Sequence, residues 1–368
     1  MKKELLNIAK LFFKLGTISF GGPAAHIAMM EEEVVKKRKW MTHQHFLDLI
    51  AATNLIPGPN STEMTMHCGH ERAGKKGLIV AGLSFILPAV IITMLFAWFY
   101  ASYGKLPKVE QFIYGIKPAV ISIMLMSIYS LGKKAVKSKL LAVLGGLTFI
   151  ACLLGLNEIY ALFLCGFIGL ILFVFKRNSN SLFMFSPILL MQPINTELLK
   201  IFVIFLKVGA LLYGGGYVLF AFLDAELVSR GLLSRSELIN AIAVGQFTPG
   251  PVLSTATFVG WQIGGFLGAI VATLGIFLPS FVFVLILNPL VPKMRKSKEI
   301  SAFLDAIGVA AIAVIAVVTF EMSKEVLIDW KTITIAVLSF VLTLKFSKMN
   351  SAYIVLFGSV GGYLLTII

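Results

Sequence analysis

Pro57-Gly58-Pro59 recurs as Pro249-Gly250-Pro251, and the two tripeptides belong to a longer series. Lys14-Leu15-Gly16 returns as Lys207-Val208-Gly209, and Phe20-Gly21-Gly22 as Tyr213-Gly214-Gly215. Thr42 returns as Ser234, and Gly69, Gly77 and Pro88 as Gly260, Gly268 and Pro279. The offset drifts only from 193 to 191 along the series, a regularity that chance does not produce for so many features in one order. The chain is an internal duplication, and a duplication constrains the architecture before any local pattern does. Proline lacks an N–H and clashes with the preceding turn, so each Pro-Gly-Pro breaks whatever helix it falls in.

Those helices belong to a membrane. The chain is 58% hydrophobic and only 14% charged, with a mean hydropathy of +0.91, against about 25% charged in soluble domains. The same figures exclude disorder. A crossing takes about 20 mostly apolar residues. Candidate runs are 10–30, 77–101, 111–131, 140–156, 158–175, 200–222, 262–289, 302–320, 331–346 and 350–368. Stretches 43–69 and 236–259 are less apolar, and each contains one Pro-Gly-Pro. Broken backbone at membrane depth is tolerated only inside protein or beside a watery cavity, so both are expected as re-entrant hairpins. The expected fold is an all-α integral membrane protein of two repeats, residues 1–195 and 196–368. Each repeat holds about five transmembrane helices and one such hairpin. Lys10 and Lys14 interrupt the first apolar stretch, so no cleaved signal peptide is expected. Cys68, Cys152 and Cys165 offer no disulfide framework and read as small core residues.

The charge is lopsided, 32 Lys+Arg against 18 Asp+Glu for a formal +14. In a soluble chain that balance suggests nucleic acid; in a membrane protein, short basic loops set orientation. In the first copy, residues 31–39, 70–76, 132–139 and 176–177 carry +1, +2, +4 and +2. The loops between them are near neutral, +1 over 102–110 and −1 over 156–158. In the second copy 223–237 and 321–331 carry −1 each, while 293–299 and 345–348 carry +3 and +2. Loops placed on the cytoplasmic side are positive throughout. Five crossings per copy, an odd number, put the second copy in upside down. Residues 1–14 carry +3 yet start outside in this scheme, unless the first segment enters only partly or lies along the surface.

Inverted repeats with discontinuous helices meeting at mid-membrane are the plan of many secondary transporters. The residues also resemble a known family. Phe13-Lys14-Leu15-Gly16-Thr17-Ile18-Ser19-Phe20-Gly21-Gly22-Pro23, then Pro57-Gly58-Pro59 and a Gly-rich span closing at Pro88, look like the chromate ion transporter family. The copy from Lys207 to Gly216, with Pro249 to Pro251 and Pro279, completes its long two-domain form. The resemblance implies a multi-pass inner-membrane carrier that exports chromate, or a sulfate-like oxyanion, using the proton motive force.

A tetrahedral dianion needs positive potential and several donors to replace its water. Lys14 and Lys207 occupy equivalent repeat positions, and buried cations tend to mark pathways; snorkelling to the headgroups is the plainer alternative. Gly21-Gly22 and Gly214-Gly215-Gly216 permit close approach to the backbone. Helix starts after Pro59 and Pro251 present free N–H groups. Asn60, Ser61 and Thr62 follow the first break and Ser254 and Thr255 the second, as donors or simply as caps. Lys117 lies in an apolar run beside Pro118 with no carboxylate within a turn, and needs a partner or an anion. The expected substrate-binding set is Lys14, Gly21, Gly22, Pro57, Gly58, Pro59, Ser61, Lys117, Lys207, Gly214, Gly215, Pro249, Gly250, Pro251 and Ser254. Glu63 has no acidic counterpart in the second copy and is the candidate for proton coupling.

His26, His43, His45, His67 and His70 all fall in the first copy, but their spacing matches no metalloprotease helix. No metal, cofactor or nucleic acid is expected. The expected partners are the oxyanion, membrane lipid and a second copy in a homodimer. A lipid-phosphate flippase and a metal-dependent intramembrane enzyme are the alternatives. The mirrored lysines and mirrored Pro-Gly-Pro argue against the enzyme. With no Gly-x-x-x-x-Gly-Lys-[Ser/Thr] loop, a nucleotide-driven pump is not expected.

Overall fold

A computed structural model describes residues 2–20, 22–53, 55–104, 106–177, 197–213, 216–287, 297–346 and 349–367. The boundary expected between residues 195 and 196 lies outside them, as do the candidate site residues Gly21, Gly214 and Gly215. Among the described residues every regular element is helical.

The first repeat runs α1 (Lys2–Ile18), α2 (Gly22–Met30), a π-helical turn (Glu31–Lys37), α3 (His43–Thr53), α4 (Asn60–Tyr103), α5 (Pro107–Ala135), α6 (Lys139–Leu153) and α7 (Glu158–Arg177). The second runs α8 (Glu197–Leu211), α9 (Val218–Leu223), a π-helical turn (Asp224–Val228), α10 (Arg235–Phe247), α11 (Thr255–Leu287), α12 (Lys298–Val326), α13 (Trp330–Lys345) and α14 (Ser351–Ile367). The order is the same in both, down to the π-helical turns.

Apolar runs 10–30 and 200–222, expected as single crossings, are each interrupted. α1 stops at Ile18 and α2 restarts at Gly22, whose φ of +79° suits glycine. α8 likewise ends at Leu211 and α9 begins at Val218. Among the described residues five helices are long and apolar enough to cross a bilayer: α4, α5, α7, the stretch Val252–Ile286 containing α11, and α12. The other helices on the expected runs, α1, α6, α8, α13 and α14, have 15 to 17 residues, or about 22–26 Å against a core of about 30 Å.

α4 and α11 each fold back on themselves. Ala73-Gly74 (φ −146° and +59°) interrupts α4, and Gly264-Gly265 (φ −132° and +61°) interrupts α11 with nearly the same geometry. A short leg and a long leg then pack through paired glycines. A methyl group on Gly69 would overlap the Gly77 carbonyl, and one on Gly260 would overlap that of Gly268. The long leg of α4 buries Leu78, Ala81, Phe85 and Ala89 and exposes Leu83, Leu87, Ile91 and Leu95. That four-residue spacing is a stripe of core on one face and a stripe for lipid on the other.

Packing divides the helices into two bundles. α1 lies on α4, α8 on α11, and α4 on α11, which makes a tip bundle around the two Pro-Gly-Pro segments. α5, α6, α7, α12, α13 and α14 form a second bundle, a scaffold with α12 and α5 at its centre. The two bundles meet chiefly through α9 and α10, both from the second repeat.

Contacts between distant segments fix the two ends of the molecule. Glu4 pairs with Arg72 at 3.5 Å and His45 with Glu71 at 3.0 Å, so the chain start and the α4 break share one end. The long leg of α4 leads away to Tyr100, which meets Asn240 of α10 at 2.8 Å. At that second end lie Arg235–Glu325 (3.1 Å), Lys117–Ser236 (2.7 Å) and Tyr114–Asp329 (2.5 Å). The α11 break is there too, since the ring of Phe258 on its short leg lies tilted 5.4 Å from that of Tyr100. α5 and α12 run back to meet at Lys137–Asp305, 2.7 Å. The two breaks therefore sit at opposite ends, and the repeats are inverted. The first end collects segments 31–39, 70–76 and 132–139, with net charges of +1, +2 and +4; the second collects 223–237 and 321–331, with −1 each. The positive-inside rule leads to the expectation that the basic end faces the cytoplasm. For the start of the chain, the arrangement agrees with partial entry of the first segment. That start lies at the basic end, because α1 goes only part of the way in and the chain then turns back through α2.

Candidate functional site

The two Pro-Gly-Pro tips face the interruptions of the opposite repeat. Gly58 donates its N–H to the carbonyl of Leu212, just past the end of α8, at 2.8 Å; Gly250 donates to Ser19, just past the end of α1, also at 2.8 Å. Leu212 and Ser19 are themselves mirror positions, 193 apart. The close approaches behind the tips are mirrored as well. A methyl group on Gly16 would overlap the Phe85 carbonyl, and one on Gly209 the Ile276 carbonyl. At Gly58 (φ +140°) and Gly250 (φ +91°) the backbone adopts conformations that favour glycine.

The tips are buried and lined unequally. Ser61, Thr62, Glu63 and Ser254 are at most 2% exposed, and the Thr62 and Ser254 hydroxyls have no hydrogen-bond partner among the described residues. Glu63 lies beside Gly58, and Ser280 of α11 approaches the same spot. Tyr213 adds a contact across the repeats, its hydroxyl lying 3.4 Å from the Leu55 carbonyl.

Each mirrored lysine has a mirrored acid. Lys14 Nζ lies 3.5 Å from Glu33 Oε1, and Lys207 Nζ lies 2.6 Å from Glu226 Oε1. Both acids sit on the π-helical turns, and each is held by a second cation one turn on, Lys37 at 3.3 Å and Arg230 at 2.9 Å. A further pair repeats too: His43 faces Glu31 as Arg235 faces Asp224, both at 3.1 Å. Burial alone would raise the Glu33 carboxyl, but Lys37 and Lys14 hold it below the ordinary carboxylate range. The pairs are unequal in burial. The Lys14 side chain is 60% exposed and that of Lys207 34%, with Glu33 at 13% and Glu226 at 3%.

The structure thus gathers Gly58, Glu63 and the flanking prolines at one tip and the mirrored Pro-Gly-Pro with Ser254 at the other. Lys14 and Lys207 stand back from the tips, each paired to a carboxylate. Lys117 stands at the acidic end on Ser236, at the start of α10, and its mirror position Gly308 faces open space. Thr42 and Ser234, which open the two hairpin stretches, cap α3 and α10 by accepting from the N–H of His45 and of Glu237 at 3.2 Å each. Sequence reasoning missed Glu33 and Glu226. The signal was present, because Glu31-Glu32-Glu33 and Asp224-Ala225-Glu226 repeat the lysine offset of 193. Ser280 also went unnoticed, and its mirror Ala89 gives no hint of it. The histidines are dispersed, and no group of three or more His, Cys, Asp or Glu side chains converges among the described residues.

Inverted helical repeats whose broken helices meet at mid-depth define a multi-pass membrane transporter. The chain belongs to the chromate transporter family, whose pattern matches it twice, over residues 6–170 and again over 199–363. It is 30% identical over 365 residues to a chromate transport protein of Cupriavidus metallidurans, covering 95% of this chain and 90% of that one. It is 29% identical to a probable chromate transport protein of Synechococcus elongatus, covering 94% and 91%, and 26% identical to a chromate transport protein of Pseudomonas aeruginosa, covering 96% and 91%. No solved structure matches it.

Proposed function

We propose that the chain carries chromate, or an oxyanion of its shape and charge, across the inner membrane by alternating access of the two repeats. The observation that carries this reading is the unequal docking of two mirror-related halves. At the acidic end α9 and α10 pack on the scaffold, and Arg235 and Lys117 tie α10 to α12 and α5. At the basic end α2 and α3 make no comparable contact with the scaffold. One sequence in two packings is what inverted repeats supply. In this packing the molecule is closed outward and open toward the cytoplasm.

The mirrored lysines then act in turn rather than together. Lys14, loosely paired and exposed, receives the anion at the open mouth, while Lys207 stays sealed on Glu226. In the opposite packing the roles exchange. The Pro-Gly-Pro tips, Gly22, Ser61 and Ser254 line the path between. Membrane potential supplies the outward drive of the proton motive force, about 4.6 kcal/mol per 100 mV for a bare dianion.

The test is uptake of radiolabelled chromate into inside-out vesicles, with sulfate as competitor. Uptake should rise with an imposed interior-positive potential, and Lys14→Ala and Lys207→Ala should each abolish it while the protein still accumulates in the membrane. Uptake of neither anion above that of vesicles lacking the protein would refute the reading and favour lipid-phosphate translocation.

A further inference from the structure

We propose that Glu63 and Ser280 form a single proton site, present at the first tip only, whose occupancy admits the anion. The inference rests on the transport reading above. Glu63 is in the first turn of α4 and Ser280 is on α11, beside Pro279 and in the other repeat; both side chains are 0% exposed. They crowd Gly58 so closely that a methyl group there would overlap Glu63 Oε1 and lie 2.5 Å from Ser280 Oγ. Neither Glu63 oxygen nor the Ser280 hydroxyl has a hydrogen-bond partner among the described residues.

Among the described residues no cation lies against the carboxylate. α11 carries no ionisable side chain. On α1, Lys10 and Lys14 are exposed, and Glu4 is engaged with Arg72. On α2, His26 lies against the Ser19 carbonyl; on α3, His43 and His45 face Glu31 and Glu71, and Asp48 faces Gln44. On α10, Arg235 and Glu237 stand at its far, acidic-end start. His67 follows one turn along α4 and has contacts of its own; past the end of α8, Tyr213 places its hydroxyl 3.4 Å from the Leu55 carbonyl, and Lys207 of α8 is held on Glu226. A carboxylate stripped of water with no counter-ion is costly, whereas the neutral acid needs only a hydroxyl neighbour.

The second tip cannot do the same. Thr255 takes the place of Glu63, with its hydroxyl on the Val252 carbonyl at 2.8 Å, and Ala89 takes the place of Ser280. The transporter therefore carries one proton per cycle. The sign follows from charge. An ionised Glu63 repels a dianion at the tip and a protonated one does not, so proton and anion bind together and move in the same direction. The potential then drives export of one net negative charge.

Purified protein in liposomes with a luminal pH dye and external chromate tests this. The wild type should acidify the lumen as chromate enters, and its chromate exchange should fall as pH rises. Glu63→Gln should move no protons and exchange chromate without that pH dependence. Ser280→Ala, with one donor to the ionised form removed, should shift the midpoint to higher pH. Luminal alkalinisation, unchanged proton movement in Glu63→Gln, or an unmoved midpoint in Ser280→Ala would overturn the proposal. Dicyclohexylcarbodiimide, which adds to protonated carboxyls in apolar sites, should label Glu63 of the wild type, and absence of that label would also overturn it. If the wild type exchanges no chromate at all, the transport reading fails instead, and the labelling still decides whether Glu63 holds a proton.

Discussion

Lys14 and Lys207 are equivalent in the sequence and unequal in the fold, so replacing each by methionine should have different consequences. Lys207→Met leaves Glu226, 3% exposed, without a partner at 2.6 Å and dependent on Arg230 at 2.9 Å. Breaking a buried pair costs about 3–5 kcal/mol when the remaining charge is stranded; with Arg230 still in place the cost is about 2–3 kcal/mol. Lys14→Met removes a 3.5 Å pair on a 60% exposed side chain, and Glu33 keeps Lys37 at 3.3 Å and Arg38 at 3.6 Å. Exposed pairs contribute about 0–1 kcal/mol. An unfolding entropy of about 2.1 cal/mol/K per residue amounts to about 0.8 kcal/mol/K for this chain. The expected loss in Tm is thus about 3 °C for Lys207→Met and about 1 °C or less for Lys14→Met. The chain has four tryptophans to report the transition by intrinsic fluorescence in detergent. Lys207→Met/Glu226→Gln should melt nearer the wild type than Lys207→Met alone, because no buried charge is stranded. Equal shifts for the two single variants would refute the unequal closure of the two ends.

Two further outcomes follow from the packing. Gly16→Ala and Gly209→Ala each force a methyl group into a backbone carbonyl of the adjacent long leg, so each should cost about 1–3 kcal/mol and lower the Tm in detergent; an unchanged Tm in both would remove the close approach. Since Glu4 meets Arg72 at the basic end and all three native cysteines are buried, a Lys3→Cys variant should react with a membrane-impermeant thiol reagent in inside-out vesicles and not in intact cells; the reverse would place the chain start outside.

Much of this was legible because the duplication and the loop charges are both features of the linear chain. Pro-Gly-Pro, the paired glycines and the basic 70–76 segment mark where α4 must turn, and the structure turns at Ala73-Gly74. The interruptions after Ile18 and Leu211 were hidden, because hydropathy is averaged over a window and the residues between the helix ends scarcely lower the average. Snorkelling lysines and paired lysines also look alike in sequence. What separates them is an acid 19 residues on, at Glu33 and Glu226, brought back by a π-helical turn that no periodicity announces. Ser280 was out of reach for a different reason. Its role comes from α11 lying across α4, so it exists only between the repeats.

The reciprocal hydrogen bonds at the tips also say where motion is allowed. In Pro-Gly-Pro the prolines have no N–H, which leaves one backbone donor, that of the glycine, to be satisfied at each tip. A helix that stops at mid-depth has the opposite problem, since its last carbonyls have no partner within the helix. Each tip answers the interruption of the other repeat, Gly58 to Leu212 and Gly250 to Ser19. Opening either contact at membrane depth would strand both groups where each costs several kcal/mol. The tips and interruptions are therefore joined as one unit, and neither repeat completes its own backbone bonding alone. The surface free to change is the one where the two bundles meet unequally, with α9 and α10 docked and α2 and α3 not. On the alternating-access reading proposed above, the tip bundle shifts against the scaffold and exchanges those two dockings, and the mirrored ion pairs on the π-helical turns mark which end is closed.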